Sequence, residues 1–500
     1  MIETSCDVVI IGSGAGGGTV ARELSPLCRD GRRIVVLEWG PRFREEEFTG
    51  RELEMAGKLY FESGGFLTDT RDMTCAFGRG YGGSTLVYTG TSFTLPDRVA
   101  RAWDVPGLDP SDIRTRTEKY RIENNVHELA PDRINENNEL FRTGCERIGL
   151  TARQFPVNVR DCPGAGVCNL GCPNQAMQGT HRVQLPEAER NGVEVVTHCR
   201  VDRIGDRCVE ARIEPLPFGL PSPWAPGAYR IRAKVVVVCG GAVNSSALLL
   251  RSGLGGRLPA LGRYFTCHPA LTLIARHDRA ITNFYGFPKA YYCDAFEETD
   301  HFLLETCMYF PFTTAKNIAS FGPPHALFLE DFRRLQMILV LASDRAIEEN
   351  RIGIDGDGNP RIFYTVTDEV RQSFVAAQRV AARIFFAAGA EYVHVPGASV
   401  PVLARDMQDG LEQLITLEEF RLGKVPISSA HMMGGCRMGR SSGDSVTDGR
   451  GRVHGVAWLY CADSSLFPGS SEVNPYLTVM ALADRVAEGI RNDAAGLFST

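Results

Sequence analysis

The sequence predicts an α/β protein in which a mostly parallel sheet, drawn from separated segments, carries an inserted α+β region built on an antiparallel sheet. Two apolar runs near the start, residues 8–11 and 34–37, flank a glycine-rich turn and a helical stretch. A third apolar run, 235–238, also ends in glycines and leads into a helix. Between residues 266 and 420 the pattern changes to alternating, aromatic-rich pieces, which are typical of an antiparallel sheet with covering helices.

Size and charge limit the classes of protein to be considered. A chain of 500 residues exceeds what one hydrophobic core usually organises, so two domains are expected. With a net charge of −6, a pI of about 6.0 and no long basic run, the chain is not expected to bind nucleic acid. The longest apolar stretch, 235–243, is too short to cross a bilayer, so no transmembrane segment is predicted. No signal-peptide pattern precedes the first strand, so a cytoplasmic location is expected.

The separated apolar runs predict a discontinuous nucleotide-binding domain. We expect it to comprise residues 1–100, 190–265 and 425–500. A connecting segment at 101–189 contains a cysteine-rich loop, and residues 266–424 form the inserted substrate domain.

The turn after the first run has the spacing of a dinucleotide-binding motif. Gly12 allows a sharp turn, Gly14 allows the backbone to approach a pyrophosphate, and Gly17 allows helix and strand to pack closely. The N-terminus of the following helix offers free N–H groups and a partial positive charge. Glu38, at the end of the second run, is placed to bind ribose hydroxyls. This Rossmann-type unit predicts a dinucleotide, and by itself it leaves FAD and NAD open.

Four further segments resemble the glucose–methanol–choline (GMC) family of FAD oxidoreductases. They are 78–87, 235–250, 429–439 and 459–483, and they follow one another in the order of that family. Within the family the chain is most similar to the cholesterol oxidases and the long-chain alcohol oxidases. Residues 266–420 carry no motif of the family.

The resemblance implies FAD as the cofactor and assigns residues to it. The glycine turn and Glu38 would hold the adenine half, the second glycine loop would lie against the pyrophosphate or the flavin, and Val201 would bracket the adenine. Asp463 would bind the ribityl or pyrophosphate region, and Asn474 and Pro475 would lie beside the flavin ring. The full set implied by the resemblance is Gly12, Gly14, Ala15, Gly17, Glu38, Gly82, Gly83, Ser84, Val201, Asp463, Asn474 and Pro475.

The same resemblance implies that an alcohol is oxidised to a carbonyl compound. His431 matches the family's active-site histidine and Asn474 its partner position. A neutral histidine is suited to take the hydroxyl proton, while flavin N5 accepts the hydride. Asn474 would hydrogen-bond the same oxygen. His268, before a proline, is interpreted as a structural residue.

One position departs from the cholesterol oxidase pattern. Tyr88-Thr89-Gly90 stands where those enzymes have Asn-Gly-Gly, so a sterol substrate does not follow. Thr89 offers no nucleophile for covalent attachment, and noncovalent FAD is expected.

Three closely spaced cysteines leave two interpretations open. Cys162, Cys168 and Cys172 have a spacing similar to that of the three-iron (3Fe–4S) cluster in cytochrome-linked members of the family. Reduced structural thiols are the alternative, and three ligands are one short of the usual zinc site.

Several functions remain open at this stage. The chain is an oxidase that uses oxygen, or a dehydrogenase that passes electrons to a protein or quinone acceptor. A lyase or light-driven decarboxylase on the same scaffold is a further alternative, as is a dinucleotide-binding regulator without catalysis. The aromatic and aliphatic residues of the 266–420 segment favour an apolar or moderately polar alcohol as substrate.

Overall fold

A computed structural model of the chain describes residues 1–283, 285–318 and 321–498. Its first sheet has seven strands, and its central members are parallel. The longest strand pairs along one half with an antiparallel hairpin and along the other half with the last strand of the chain. The strands are Ile2–Ile11, Ile34–Leu37, Glu194–Val196, Cys199–Gly205, Cys208–Ile213, Gly227–Val238 and Leu459–Cys461.

The apolar runs of the sequence lie at the centre of this sheet. Residues 8–11 pair on one side with 34–37 and on the other with 235–238, and all twelve side chains are buried. Continuous apolar runs suit parallel strands because helices cover both faces of such a sheet. The carboxyl ends of four parallel strands therefore meet at one edge, where Gly12, Glu38, Gly240 and Asp463 follow them.

Three helices bring backbone to this edge. Ala15–Leu24 follows the first glycine turn, and Gly241–Arg251 follows the long strand. The third helix, Tyr476–Asn492, packs against the first. The C-terminal helix is buried along most of its length. The first two of these helices were predicted from the sequence.

The second sheet has ten strands and is largely antiparallel, which confirms the predicted fold class. It also takes short strands from outside the 266–424 segment. The strands are Phe66–Leu67, Met73–Cys75, Arg153–Gln154, Ala270–Arg276, Tyr291–Cys293, Phe302–Cys307, Leu335–Ala342, Tyr392–His394, Val402–Ala404 and Ile427–Ser429.

The two faces of this sheet have different covers. Helices Glu136–Arg147 and Asp368–Ala387 pack on one face around Leu273, Leu304 and Val340. The other face, which we call the inner face, carries Leu303, Leu339 and Leu341 and packs against residues of the 308–332 segment. That segment contains the short helices Pro311–Asn317 and Pro323–Leu329.

The polar segment from 110 to 148 forms two helices. Pro110–Glu123 ends where Asn125 adopts a positive φ of 53°, and Glu136–Arg147 begins after a turn at Pro131. Asparagine tolerates this conformation better than most residues. The remaining helices are Glu52–Leu59, Asp97–Ala102, Gln184–Arg190, Leu411–Leu414 and Ala494–Phe498. Two small antiparallel sheets have two strands each. Val126–His127 pairs with Val157–Asn158, and Arg351–Ile354 pairs with Pro360–Phe363. Within the described residues, no helix is long and apolar enough to span a membrane.

Candidate active site

The first glycine turn is closely packed against its neighbours. Gly12 has a φ of +101°, and a Cβ there would lie 2.4 Å from the Cys239 carbonyl oxygen. A Cβ on Gly17 would lie 1.9 Å from the Gly12 carbonyl oxygen. Gly16, which the sequence analysis did not single out, packs in the same way against the Ala462 carbonyl oxygen. These contacts explain why the turn requires glycine.

The second glycine loop meets the first at Gly83. A Cβ on Gly83 would lie 2.7 Å from the Gly14 Cα, whereas a Cβ on Gly14 would meet only the Gly83 Cα, at 3.9 Å. Thr180 joins the two loops, since its hydroxyl donates to the Ser13 carbonyl at 3.2 Å. Bare backbone from both loops, together with the helix that begins at Ala15, borders open space in front of Gly14. This arrangement fits the pyrophosphate of a dinucleotide such as FAD.

Glu38 is held by the protein itself. One carboxylate oxygen accepts from the Ser13 hydroxyl at 2.6 Å and the Ser13 N–H at 3.0 Å, and the other accepts from the Gly40 N–H at 2.7 Å. Burial raises the pKa of Glu38, and these hydrogen bonds oppose the increase. In this structure the carboxylate braces the glycine turn, and its contact with ribose stays a prediction.

Asp463 has a similar bracing role on the opposite side. It accepts from the Gly241 N–H at 2.8 Å and the Ser245 hydroxyl at 2.5 Å, and so holds the start of the Gly241–Arg251 helix. Its second oxygen accepts from the Ser465 N–H at 2.7 Å. Val201 lies buried in the Cys199–Gly205 strand, and Ser84 is exposed, where its hydroxyl accepts from the Gly78 N–H. Contacts of these residues with FAD also stay predictions.

His431 and Asn474 lie side by side although 43 residues separate them. The Asn474 amide nitrogen is 3.4 Å from His431 Nε2. Asn474 is buried, and its Oδ1 accepts no hydrogen bond from the described residues. Pro475 then leads directly into the C-terminal helix. An unpartnered buried amide oxygen beside a histidine is an arrangement that a ligand can complete.

His268 contacts His431 and is therefore part of the site, which its interpretation as a structural residue did not anticipate. His268 Nδ1 is 3.0 Å from His431 Nδ1, and His268 Nε2 is 2.9 Å from the Ser470 hydroxyl. The backbones of Thr266 and Met433 exchange two hydrogen bonds, and the same antiparallel pairing, continued by two residues, places the histidines opposite each other.

The histidine pair is neutral in this environment. Burial lowers the pKa of His431 well below its usual value, and the nearby His268 and Lys289 lower it further. Burial lowers the pKa of His268 to about 3. If the Asn474 amide donates to His431 Nε2, His431 carries its proton on Nδ1 and donates to His268. His268 then donates from Nε2 to Ser470, so that every nitrogen in the chain has a matching partner.

Two further residues, Tyr88 and His181, lie close to the second glycine loop. The Tyr88 ring lies 5.0 Å from the ring of Tyr476, the first residue of the Tyr476–Asn492 helix, and the buried Tyr88 hydroxyl has no hydrogen-bond partner within the described residues. His181, another residue that the sequence analysis missed, packs against Gly82, and burial lowers its pKa to about 3. No signal in a single sequence distinguishes His181 from an ordinary surface histidine.

The cysteine loop shows no metal site within the part of the chain that the structure describes. The described residues contain no group of three or more His, Cys, Asp or Glu side chains that could hold a metal ion, so the 3Fe–4S hypothesis is unsupported. All fifteen cysteines are free thiols. Burial raises the pKa of Cys162 and of Cys168, as expected for structural thiols.

Comparison with known proteins identifies the family. Two sequence models of GMC oxidoreductases match, the N-terminal one over residues 7–270 and the C-terminal one over residues 347–483. A GMC-type oxidoreductase of Mycobacterium tuberculosis is 30% identical over 494 residues, which cover 97% of this chain and 76% of that protein. A long-chain-alcohol oxidase of Arabidopsis thaliana is 28% identical, over 96% of this chain and 67% of the relative.

Solved structures show the same fold. A pyridoxine 4-oxidase from Mesorbium loti superposes with a TM-score of 0.72 at 16% identity, over 97% of this chain and 99% of the other. A formate oxidase of Aspergillus oryzae, whose structure was described for its FAD modification, gives a TM-score of 0.71 at 14% identity over 99% and 100% of the two chains. The prediction of an FAD-dependent oxidoreductase acting on CH–OH donors is confirmed at that level. The chain belongs to the GMC oxidoreductase family.

Proposed function

We propose that this protein oxidises an alcohol to the corresponding carbonyl compound, with His431 as the group that receives the hydroxyl proton. The observation that carries the proposal is the pairing of neutral His431 with Asn474, whose amide nitrogen is 3.4 Å from His431 Nε2 and whose Oδ1 accepts no hydrogen bond within the described residues. The names of relatives such as the long-chain-alcohol oxidases support the same reaction.

The side chains divide the chemistry between them. When the substrate hydroxyl replaces the Asn474 amide as the partner of His431 Nε2, this nitrogen accepts the hydroxyl proton, and the freed amide donates a hydrogen bond to the same oxygen as negative charge develops there. His268 remains a neutral acceptor for the His431 Nδ1–H, so it stabilises the imidazolium and fixes the orientation of its ring. Ser470 fixes His268 in turn.

The cofactor supplies the hydride acceptor. FAD bound noncovalently over the two glycine loops would provide it, held by the backbone around Gly14 and Gly83 and by the start of the Ala15–Leu24 helix. Oxygen, a quinone or an acceptor protein then removes the electrons. The names of the long-chain-alcohol oxidases favour an aliphatic alcohol as the substrate, in agreement with the apolar residues Leu303, Leu339 and Leu341 of the inner face.

An anaerobic absorbance titration tests the reaction. The FAD-loaded protein is mixed with a panel of primary and secondary alcohols, and the flavin bands are followed. We expect one class of alcohol to bleach them. Flavin bands that no alcohol bleaches would overturn the proposed reaction and leave the fold unchanged.

The His431→Ala variant tests the site. Because proton removal by a positioned base contributes about two to four orders of magnitude, the rate of anaerobic flavin reduction should fall by that factor while FAD stays bound. His127→Ala is the control, since His127 is exposed and lies in the short Val126–His127 strand. Equal reduction rates in the His431→Ala variant and the wild type would remove His431 from the mechanism.

A further inference from the structure

A buried ion pair lies in the substrate domain and has no part in the chemistry described so far. Lys289 Nζ is 2.5 Å from Glu305 Oε2, and the two side chains are 9% and 0% exposed. Burying a lysine and a glutamate together costs more free energy than burying apolar residues of the same size, so such a pair is seldom retained for stability alone.

The pair lies on the inner face of the ten-stranded sheet. Glu305 is directly opposite Tyr292 on one neighbouring strand and Leu339 on the other, so these side chains share one face. The Lys289 ammonium lies over the Phe155 ring, 5.2 Å from its centre. Phe155 in turn contacts Tyr292 and Phe93, which follows the second glycine loop.

The register of the sheet relates the pair to the reacting groups. Leu339, which lies opposite Glu305, pairs on its other side with Thr272, four residues after His268. In agreement with this placement, the positive charge of Lys289 is one of the three influences that lower the pKa of His431.

The hydrogen-bonding capacity of this pair is only partly used. An ammonium has three N–H donors, and the described contacts of Lys289 are Glu305 Oε2 and the Phe155 ring. Glu305 is fully buried, and neither of its oxygens accepts a hydrogen bond of suitable geometry within the described residues, so that its contact with Lys289 is an ion pair. Glu305 thus fixes the ammonium in place and cancels its charge, while N–H donors remain available.

We propose that Lys289 determines substrate specificity by donating a hydrogen bond to a second, neutral oxygen on the alcohol, such as a remote hydroxyl. This inference rests on the proposed function. The pair carries no net charge, so a neutral hydroxyl leaves the buried site neutral, whereas a carboxylate would add a second negative charge beside Glu305. The substrate is then an aliphatic alcohol with another oxygen along its chain, and not a simple alkanol.

Matched substrates and variants test the proposal. A straight-chain alkanol, the α,ω-diol of the same length and the ω-hydroxy acid of the same length are compared by kcat/KM in the FAD-loaded protein. After a statistical correction of two for its equivalent ends, we expect the diol to be preferred to the alkanol about tenfold or more, as for a hydrogen bond to a charged donor.

Three variants separate the roles of the two residues. Lys289→Met combined with Glu305→Gln removes both charges and should bring the corrected diol-to-alkanol ratio close to one. Glu305→Gln alone leaves the Lys289 charge uncompensated and should raise the preference for the hydroxy acid about tenfold. Lys289→Arg keeps a cationic donor and should retain the diol preference within about threefold.

Binding provides a readout that does not depend on turnover. The α,ω-dimethoxyalkane, which cannot be oxidised, should perturb the flavin spectrum with a lower Kd in the wild type than in the Lys289→Met/Glu305→Gln variant. Equal corrected efficiencies for alkanol and diol in the wild type would overturn this inference alone. Failure of every alcohol to reduce the flavin would overturn the proposed function and this inference with it.

Discussion

Asp344 is a buried carboxyl group that supports the segment leading to His268. It accepts hydrogen bonds from the Thr266 hydroxyl, from the Cys267 N–H at 3.2 Å and from the Tyr364 hydroxyl at 2.8 Å. Burial raises its pKa from 3.8 to about 7, and these hydrogen bonds only partly oppose the increase. Asp344 therefore titrates in the neutral range although it lies behind the active site.

The stability contribution of Asp344 depends on pH in a defined direction. Below about pH 4 the carboxyl is protonated in both the folded and the unfolded state, and ionisation costs nothing. As the pH rises from about 4 to 7, the unfolded state ionises first, so the free energy of unfolding falls by up to about 4 kcal/mol. Asp344→Asn removes this term, so the variant should gain stability relative to the wild type over that range. Urea unfolding at pH 5 and pH 8 measures the difference, and a pH-independent difference would contradict the prediction.

At the residue level, motifs of the sequence identified candidate residues of the site. Contacts that depend on strand register could not be predicted. His431 and Asn474 were expected together because both lie in segments that resemble the family. His268 was interpreted as a structural residue. Its contact with His431 could not be predicted because it depends on the pairing of Thr266 with Met433, residues far apart in the chain. The Lys289–Glu305 pair depends on register in the same way, and no sequence pattern indicates it.

At the level of elements, the glycines of the first glycine turn fall into two groups: those expected to be required for folding and those expected to contact the cofactor. Gly17 lies within the first helix and contacts the Gly12 carbonyl, so an added Cβ would push strand and helix apart. Gly14 precedes the helix with an ordinary φ of −63° and faces open space. The spacing of the motif predicted both roles, and the packing of Gly17 agrees with its role in folding, while the contact of Gly14 with FAD stays a prediction.

Alanine substitutions at these glycines should therefore have different consequences. Gly14→Ala should leave the stability of the apoprotein within about 1 kcal/mol and weaken FAD binding at least about tenfold, because the methyl group occupies the cradle. Gly17→Ala should destabilise the apoprotein itself by a few kcal/mol. FAD fluorescence titration and denaturant unfolding measure the two effects.

The control for this comparison is a helical glycine with free space around it. Gly57 lies in the Glu52–Leu59 helix, and a Cβ there would meet nothing within 4 Å among the described residues. Gly57→Ala should stabilise the protein slightly, by about 0.5–1 kcal/mol, through helix propensity. Loss of stability in Gly14→Ala equal to that in Gly17→Ala would show that Gly14 also serves folding.

At the level of the whole molecule, the order of apolar runs was enough to predict a parallel sheet and an inserted antiparallel one. It was not enough to predict which distant segments complete each sheet. Strands as short as Phe66–Leu67 and Arg153–Gln154 join the ten-stranded sheet and carry too few residues to show a period of two. The assignment of the domain limits from sequence therefore stays a proposal.

The Ala15–Leu24 helix and the Tyr476–Asn492 helix are connected through polar side chains of the Pro110–Glu123 helix. Glu23, in the first helix, accepts from Lys119 Nζ at 2.7 Å and the Tyr120 hydroxyl at 3.0 Å, and it pairs with Arg22. Asp484, in the Tyr476–Asn492 helix, accepts from the same Lys119 at 2.9 Å, and its Oδ2 is 2.9 Å from the Tyr120 hydroxyl, whose single proton the two carboxylates share. This network ties the helix that follows the glycine turn to the helix that follows Asn474, so it connects the cofactor cradle with the active site.

Removing Glu23 should weaken this connection in a pH-dependent manner. Burial alone would raise its pKa, but hydrogen bonds and charges from Lys119 and Arg22 outweigh burial and lower it from 4.5 to about 2. Its stabilisation is therefore complete above about pH 4.5 and is lost as the pH falls toward 2. At pH 7 Glu23→Gln should lower the free energy of unfolding by about 3 kcal/mol, and the deficit should shrink progressively below pH 4.5. Glu54→Gln, which affects only surface contacts with Lys58, Arg51 and Thr49, is the control and should show no measurable loss. A deficit for Glu23→Gln that stays constant from pH 7 down to pH 3.5 would show that the carboxylate charge does not hold the two ends of the chain together.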